Sequence, residues 1–284
     1  MDRYIDFYEN KYFWDTSIAR PGPGAKTPFE FFVIMRLYLE AVNPPGHKRI
    51  DTVLDWNNNP VPTMRWDGAS WLHFTTRYVK MVMEIWDKAF LLIPPATYDG
   101  FAVPEDGTRR NLLCRLDIQL MRSPKDAHAS IRVFRLANPG NSIFRADSAD
   151  YDSNLVEPSR RSFWPDHADF LYNKPAHELG HLLLLPHVNE ADPRCDPTRE
   201  NSVCYGSNLA QRMNVMGAGS MLDLEDAKPW IMRIEKHTPP TKRKDWKVDW
   251  ASSEAALRGV WSLHIDEKYR PKAQPRPKPG IIDL

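Results

Sequence analysis

Residues His177-Glu178-Leu179-Gly180-His181, with His187 six positions further on, put two imidazoles, a carboxylate and a third imidazole into one short stretch. On a helix, His177 and His181 differ by about 40° in azimuth and about 6 Å in rise, close enough to share one ion. Two imidazoles on one helical face are half of a zinc site. The Glu178 carboxylate projects to the side, where it can reach a metal-bound water without ligating the metal. A catalytic zinc uses three protein ligands and keeps one position open. If the helix continued, His187 would lie about 120° away and about 9 Å along the axis, out of reach of the same ion. The chain must therefore leave the helix between 182 and 186. Pro186 favours this, because its ring and missing N–H oppose an interior helical position and bias Leu185 away from the α region. Glu190 and Asp192 are alternative third ligands.

"AHELGHLLLLPH" resembles the zinc-binding signature of the metzincin proteases, HExxHxxGxxH, and "RMNVMGAG" downstream resembles their Met-turn. The resemblance implies that His177, His181 and His187 bind Zn2+. It implies that Glu178 is the general base and that Met216 packs beneath the ligands; Met213 and Met221 are rivals for that place. It further implies an α+β fold: a twisted mixed sheet with long helices, a smaller C-terminal subdomain, and an active-site helix between the two. The catalytic domain would span 26–237, its upper part running to about 187 and its lower part over 188–237. An N-terminal segment, 1–25, would precede it, and a Pro-rich, charged tail, 238–284, would follow. The implied activity is zinc-dependent endopeptidase, hydrolysing peptide bonds by Glu-assisted attack of a zinc-bound water. Two departures stand out. The family's glycine is Leu184 here, so either a leucine is held at positive φ or the turn is made differently near Pro186. The tyrosine that many members carry two residues after the methionine is replaced by Ala218, which leaves Tyr205 as a substitute helper of the transition state.

The elements that must position these residues can be read from periodicity. Residues 29–42, "FEFFVIMRLYLEAV", read as a strand with helix as the rival, and "IDTVLDW" as a shorter strand. Apolar residues from Trp71 to Trp86 recur at helical spacing and predict an amphipathic helix over 69–90. "FLLIPPA", 112–121 and 129–137 read as further strands. The stretch 140–168 is polar and irregular, with an exposed edge strand for substrate near 141–148. After a long loop over 188–212, "LDLEDAKPWIMRIEKH" predicts a helix capped near Asp223. The metzincin resemblance further implies that the segment 217–223 lines the substrate pocket, and its small and apolar residues suit a medium hydrophobic side chain. Beyond 238 an extended tail with one short helix near 252–261 is expected.

Composition bounds the function. The 284-residue chain is 42% hydrophobic with a net charge of +1, enough for a core and without the basic excess of nucleic-acid binders. No apolar stretch reaches the length of a membrane span, and the opening residues lack a signal-peptide pattern. Localisation is thus expected to be cytoplasmic or by a non-Sec route. Cys195 and Cys204 either close one small loop or are two reduced thiols, and Cys114 reads as a buried strand residue. A protein or peptide substrate is the expected partner, and oligomeric state is not legible. Besides the peptidase, two readings are carried: a non-catalytic zinc-bound interaction module, and a protease effector or toxin delivered by a specialised secretion system.

Overall fold

The computed structural model describes residues 6–9, 13–21, 28–55, 58–103, 108–140, 149–163, 168–196 and 202–251. The chain opens with β1 (Asp6–Tyr8), β2 (Asp15–Ala19), β3 (Phe29–Val42), β4 (Ile50–Leu54) and β5 (Pro60–Met64), then enters α1 (Gly68–Trp86). There follow β6 (Phe90–Ile93), the two-residue pair β7 (Ala102–Val103) and β8 (Thr108–Arg109), β9 (Leu112–Leu120), β10 (Ala129–Leu136) and β11 (Asp150–Asp152). A hairpin of β12 (Ser159–Phe163) and β13 (Ala168–Tyr172) leads into α2 (Lys174–Leu182); α3 (Leu209–Met213), α4 (Lys228–His237) and β14 (Lys247–Trp250) complete the described chain. The fold is α+β, built on one large mixed sheet with few helices. Only α1 is long; α2 has 9 residues and α4 has 10.

Ten strands make the sheet, with β14-β6-β9-β3-β10-β5-β4 as its main path. The 14-residue β3 is its centre. It runs parallel to β9 over Phe29–Leu37 and parallel to β10 over Leu37–Val42, while β2 pairs antiparallel with its first half. Alternate residues Phe31, Val33, Met35 and Leu37 enter the main core, where they join Phe74, Tyr78, Val82, Ile85 and Trp86 of α1 and Trp230 and Ile234 of α4. The intervening Phe32 and Ile34 form a small separate cluster with Ala19. This alternation is the period-2 pattern of a strand with two buried faces, and it settles 29–42 against the helical rival.

The regular elements anticipated between 29 and 137 are present, and other regions hold more structure than their composition indicates. The N-terminal segment supplies β1 and β2, and β2 is buried along its whole length although it reads Asp15-Thr16-Ser17-Ile18-Ala19. Its Asp15 carboxylate is held by Arg36 and His128, both at 3.3 Å, which offsets the cost of burying a charge. The stretch expected as an extended tail continues the sheet. β14 pairs antiparallel with β6, and Trp246 and Trp250 are buried. The polar stretch before α2 contains β11 and the β12–β13 hairpin. The edge strand expected near 141–148, the helix near 252–261 and His167 lie outside the described residues.

Helix α1 begins at Asp67, whose side chain accepts from the Ser70 N–H at 2.8 Å in a capping box. At its other end Trp86 Nε1 donates to the Ala176 carbonyl at 2.9 Å, tying α1 to α2. Helix α2 begins at Asn173, which accepts from the Ala176 N–H, and has Pro175 in its first turn. It ends in a Schellman turn. The Leu184 N–H donates to the His181 carbonyl and the Leu185 N–H to the Gly180 carbonyl, each at 2.9 Å, with Leu184 at φ +62°. The leucine therefore occupies the left-handed position itself. The four leucines, expected to be core, split here: Leu183 and Leu185 are buried, Leu182 is half-buried, and the inverted backbone turns Leu184 outward to 42% exposure.

A leucine at positive φ costs about 1 to 2 kcal/mol, and a glycine there forfeits about 0.4 to 1 kcal/mol through the unfolded chain. Leu184→Gly is expected to raise stability by about 0.5 to 1 kcal/mol. Urea unfolding of the two proteins checks this, and a destabilised variant would show that the leucine contributes packing that outweighs its backbone strain.

Candidate metal centre

His177, His181 and His187 come together, each offering one ring nitrogen, with the three nitrogens within 4.8 Å of one another. The first two stand on α2, and the Schellman turn returns the chain so that the third joins them. His177 is buried, and its Nδ1–H donates to the Val215 carbonyl at 2.7 Å. His181 Nδ1–H donates to the Leu185 carbonyl at 3.0 Å, so the turn that ends the helix also orients the second imidazole. A carbonyl can only accept, which places the proton of each ring on Nδ1 and leaves Nε2 with a bare lone pair. Those two Nε2 atoms lie 3.2 Å apart. His187 Nε2 is buried and has no hydrogen-bond partner among the described residues.

Facing lone pairs at that separation repel unless a cation lies between them. Two nitrogens each about 2.0 to 2.1 Å from a tetrahedral ion are about 3.3 Å apart, and the donor set of neutral imidazoles suits zinc and its neighbours. The residues fit a metal ion. Burial, with the nearby rings of His181 and His187, holds His177 well below the usual histidine range. Burial and then His181 lower His187 to about 4. Both rings stay neutral at physiological pH, as metal ligation requires. The alternative third ligands are occupied elsewhere. Glu190 accepts from the His187 backbone N–H at 3.2 Å, and Asp192 is paired to Arg194 at 2.7 Å.

Met216 lies directly under α2. A Cβ placed on Gly180 would come within 2.1 Å of its Sδ, so a larger residue there would push the methionine away from the helix. This is the reason for the glycine inside "HELGH". Met213 instead packs with Phe170 and Ala218, and Met221 borders the same small cluster. The turn carrying Met216 is held by Asn214. Its Oδ1 accepts from the Met216 N–H at 2.6 Å, and its Nδ2 donates to Asp223 at 3.2 Å and Asp226 at 3.0 Å. Asp223 in turn caps the helical segment that leads into α4.

Glu178 is buried beside the cluster on α2. Burial pushes the hydroxyl of Tyr78 on α1 upward, and the charge of Glu178 adds to it. Tyr205 packs on the other side, its ring 4.4 Å from that of His187 and 5.7 Å from that of His177. Its loop is fixed by the Cys195–Cys204 disulfide and by the Asn189 N–H donating to the Cys204 carbonyl. Tyr172, which periodicity did not single out, stands edge-on to His177 at 5.6 Å. The same residue lines a cleft of about 420 Å³ with Ser159, Leu171, Asn173 and Ser220, and with Met81 of α1. Ser220 belongs to the segment 217–223 expected at the pocket.

The Asn214 network makes the turn sensitive to pH. Burial, and then the charge of Asp223, raise Asp226 from its ordinary 3.8 to about 7. The folded protein thus keeps this proton between pH 3.8 and 7 where the unfolded chain has lost it, so its contribution to stability falls as pH rises through that window. Relative to Asp226→Asn, wild type is expected to lose stability progressively from about pH 4 to pH 7. Urea denaturation of both proteins across that range reads the difference, and a gap that does not change with pH contradicts the assignment.

No described helix is long and apolar enough to cross a membrane. No family model matches the chain, and the comparisons with curated proteins and with solved structures return no match either.

Proposed function

We propose that the chain is a zinc-dependent peptidase of metzincin type. The observation that carries the proposal is the convergence of three imidazoles, two buried and His181 half-buried, each offering one ring nitrogen beside the buried Glu178 of α2. Zinc held by His177, His181 and His187 would supply a Lewis acid and lower the pKa of water to about 7. The chain's own residues account for the rest. Glu178 accepts a proton from the attacking water and returns it to the amine nitrogen as the peptide C–N bond breaks, so one water is consumed and the carboxylate is regenerated. The Val215 and Leu185 carbonyls keep the two helical imidazoles in one tautomer. Met216 forms the floor that prevents α2 from shifting. Tyr205, whose ring lies 4.4 Å from that of His187, would supply the hydroxyl donor to the developing oxyanion.

Two substitutions test this reading. Glu178→Ala is expected to retain about one zinc per chain and to lose proteolysis of an unfolded protein panel by about 100-fold or more. Full activity in that variant would remove the base from the mechanism, and wild type inert on every substrate would favour the non-catalytic module. Metal analysis of His187→Ala is expected to show zinc occupancy well below that of wild type at equal free metal, since one of three ligands is gone. Unchanged occupancy would exclude His187 as a ligand.

A further inference from the structure

The β12–β13 hairpin places one arginine where the proposed reaction does not use it. Arg161 pairs directly across the hairpin with Phe170, and Ser159 with Tyr172, so these four residues share one face. That face looks toward the metal centre. Phe170 packs with Met213 and Ala218, against which Tyr205 lies, and Tyr172 stands against His177. The Arg161 guanidinium sits over the Tyr172 ring, 5.1 Å from its centroid, and forms no ion pair among the described residues. Its charge reaches inward as far as Lys174 and Arg212, where, after burial, it adds to what disfavours their protonation. By contrast, arginines on the strands of the large sheet are matched: Arg115 to Glu30 and Asp87, Arg132 to Asp150, Arg135 to Asp67. Arg161 is exposed, stacked and oriented, with its fork of donors unspent.

We infer that Arg161 recognises a carboxylate of the peptide substrate and so sets the specificity of the metal centre. The inference rests on the peptidase reading of that centre. With Tyr172 between them at 5.1 Å and 5.6 Å, the guanidinium and the His177 ring are no more than about 11 Å apart. An extended peptide advances about 3.3 to 3.6 Å per residue, so the carboxylate belongs within about three residues of the scissile bond. An Arg fork takes a carboxylate through two parallel hydrogen bonds, and stacking on Tyr172 holds its plane in advance. The carboxylate can come from an Asp or Glu side chain or from the chain's own C-terminus.

Paired peptides separate the two sources. One set carries Asp or Glu against Asn or Gln at each of three positions on either side of the cleaved bond; the other carries a free C-terminus against a carboxamide. Wild type is expected to show kcat/KM about 10- to 100-fold higher for the acid in one of the sets, which identifies the source. Arg161→Gln should bring that ratio close to one, and Arg161→Lys should restore part of it. Equal rates for acid and amide in wild type, or an undiminished ratio in Arg161→Gln, would overturn the inference. Fluorescence anisotropy of the same peptides on Glu178→Ala protein reads the preference without hydrolysis. A chain that binds acids through Arg161 yet cleaves nothing would defeat the peptidase reading, and with it the role in specificity, while leaving carboxylate recognition by Arg161 in place; one that cleaves without discriminating would overturn the inference and spare the peptidase reading.

Discussion

Three imidazole nitrogens are held within one small volume, and two of the rings, committed to backbone carbonyls through their other nitrogen, turn bare lone pairs toward each other. Without a cation such an arrangement is repulsive, so the surrounding structure has to hold it together. Much of the neighbourhood answers to that demand. Helix α2 must stop after 9 residues, its last turn must invert, and a second turn must pass beneath it to offer the Val215 carbonyl. The large sheet and α1 act as a rigid wall for this arrangement, and the Trp86 bond to Ala176 fixes α2 to that wall.

The two supports of the centre differ in character. The Schellman turn is purely local, and the price of its leucine is met by the buried Leu183 and Leu185 on either side. The Met216 turn depends on a network of polar side chains that reaches α4. Asn214 satisfies one turn N–H and two carboxyls at once, so the position of the methionine is coupled to the capping of a distant helix. A buried network of this kind is favourable only while each member keeps its partners.

How much of this was legible in the sequence follows from which forces dominate where. His177, Glu178, His181 and the need for a break before His187 could be read from helical arithmetic, because the residues lie close along the chain. β3, β9, β10 and α1 could be read because their burial follows one clear period. β2 could not: Asp15, Thr16 and Ser17 are buried by partners on distant strands, and polarity disguised a core element. β5 carries Pro60 and Pro62, and the β12–β13 hairpin carries two arginines, so neither reads as a strand. Tyr172 and the Asn214–Asp226 contact were invisible for a related reason, since their importance comes from what lies opposite them in space. Gly180 was within the motif all along, and only the approach of Met216 gives it meaning.

The disulfide between Cys195 and Cys204 makes the chain beyond the third histidine a closed ring. The Cys204 end of that ring is anchored next to the metal centre, by the Asn189 N–H on its carbonyl and by Tyr205 beside it, and the disulfide ties the Cys195 end to the same place. Residues added or removed between the cysteines change the circumference of the ring without displacing His187 or the tyrosine, and lengthening a loop carries only a small entropic cost. The disulfide therefore lets the segment between the cysteines change in length, by drift or by grafting, while Cys204 and the tyrosine after it keep their place.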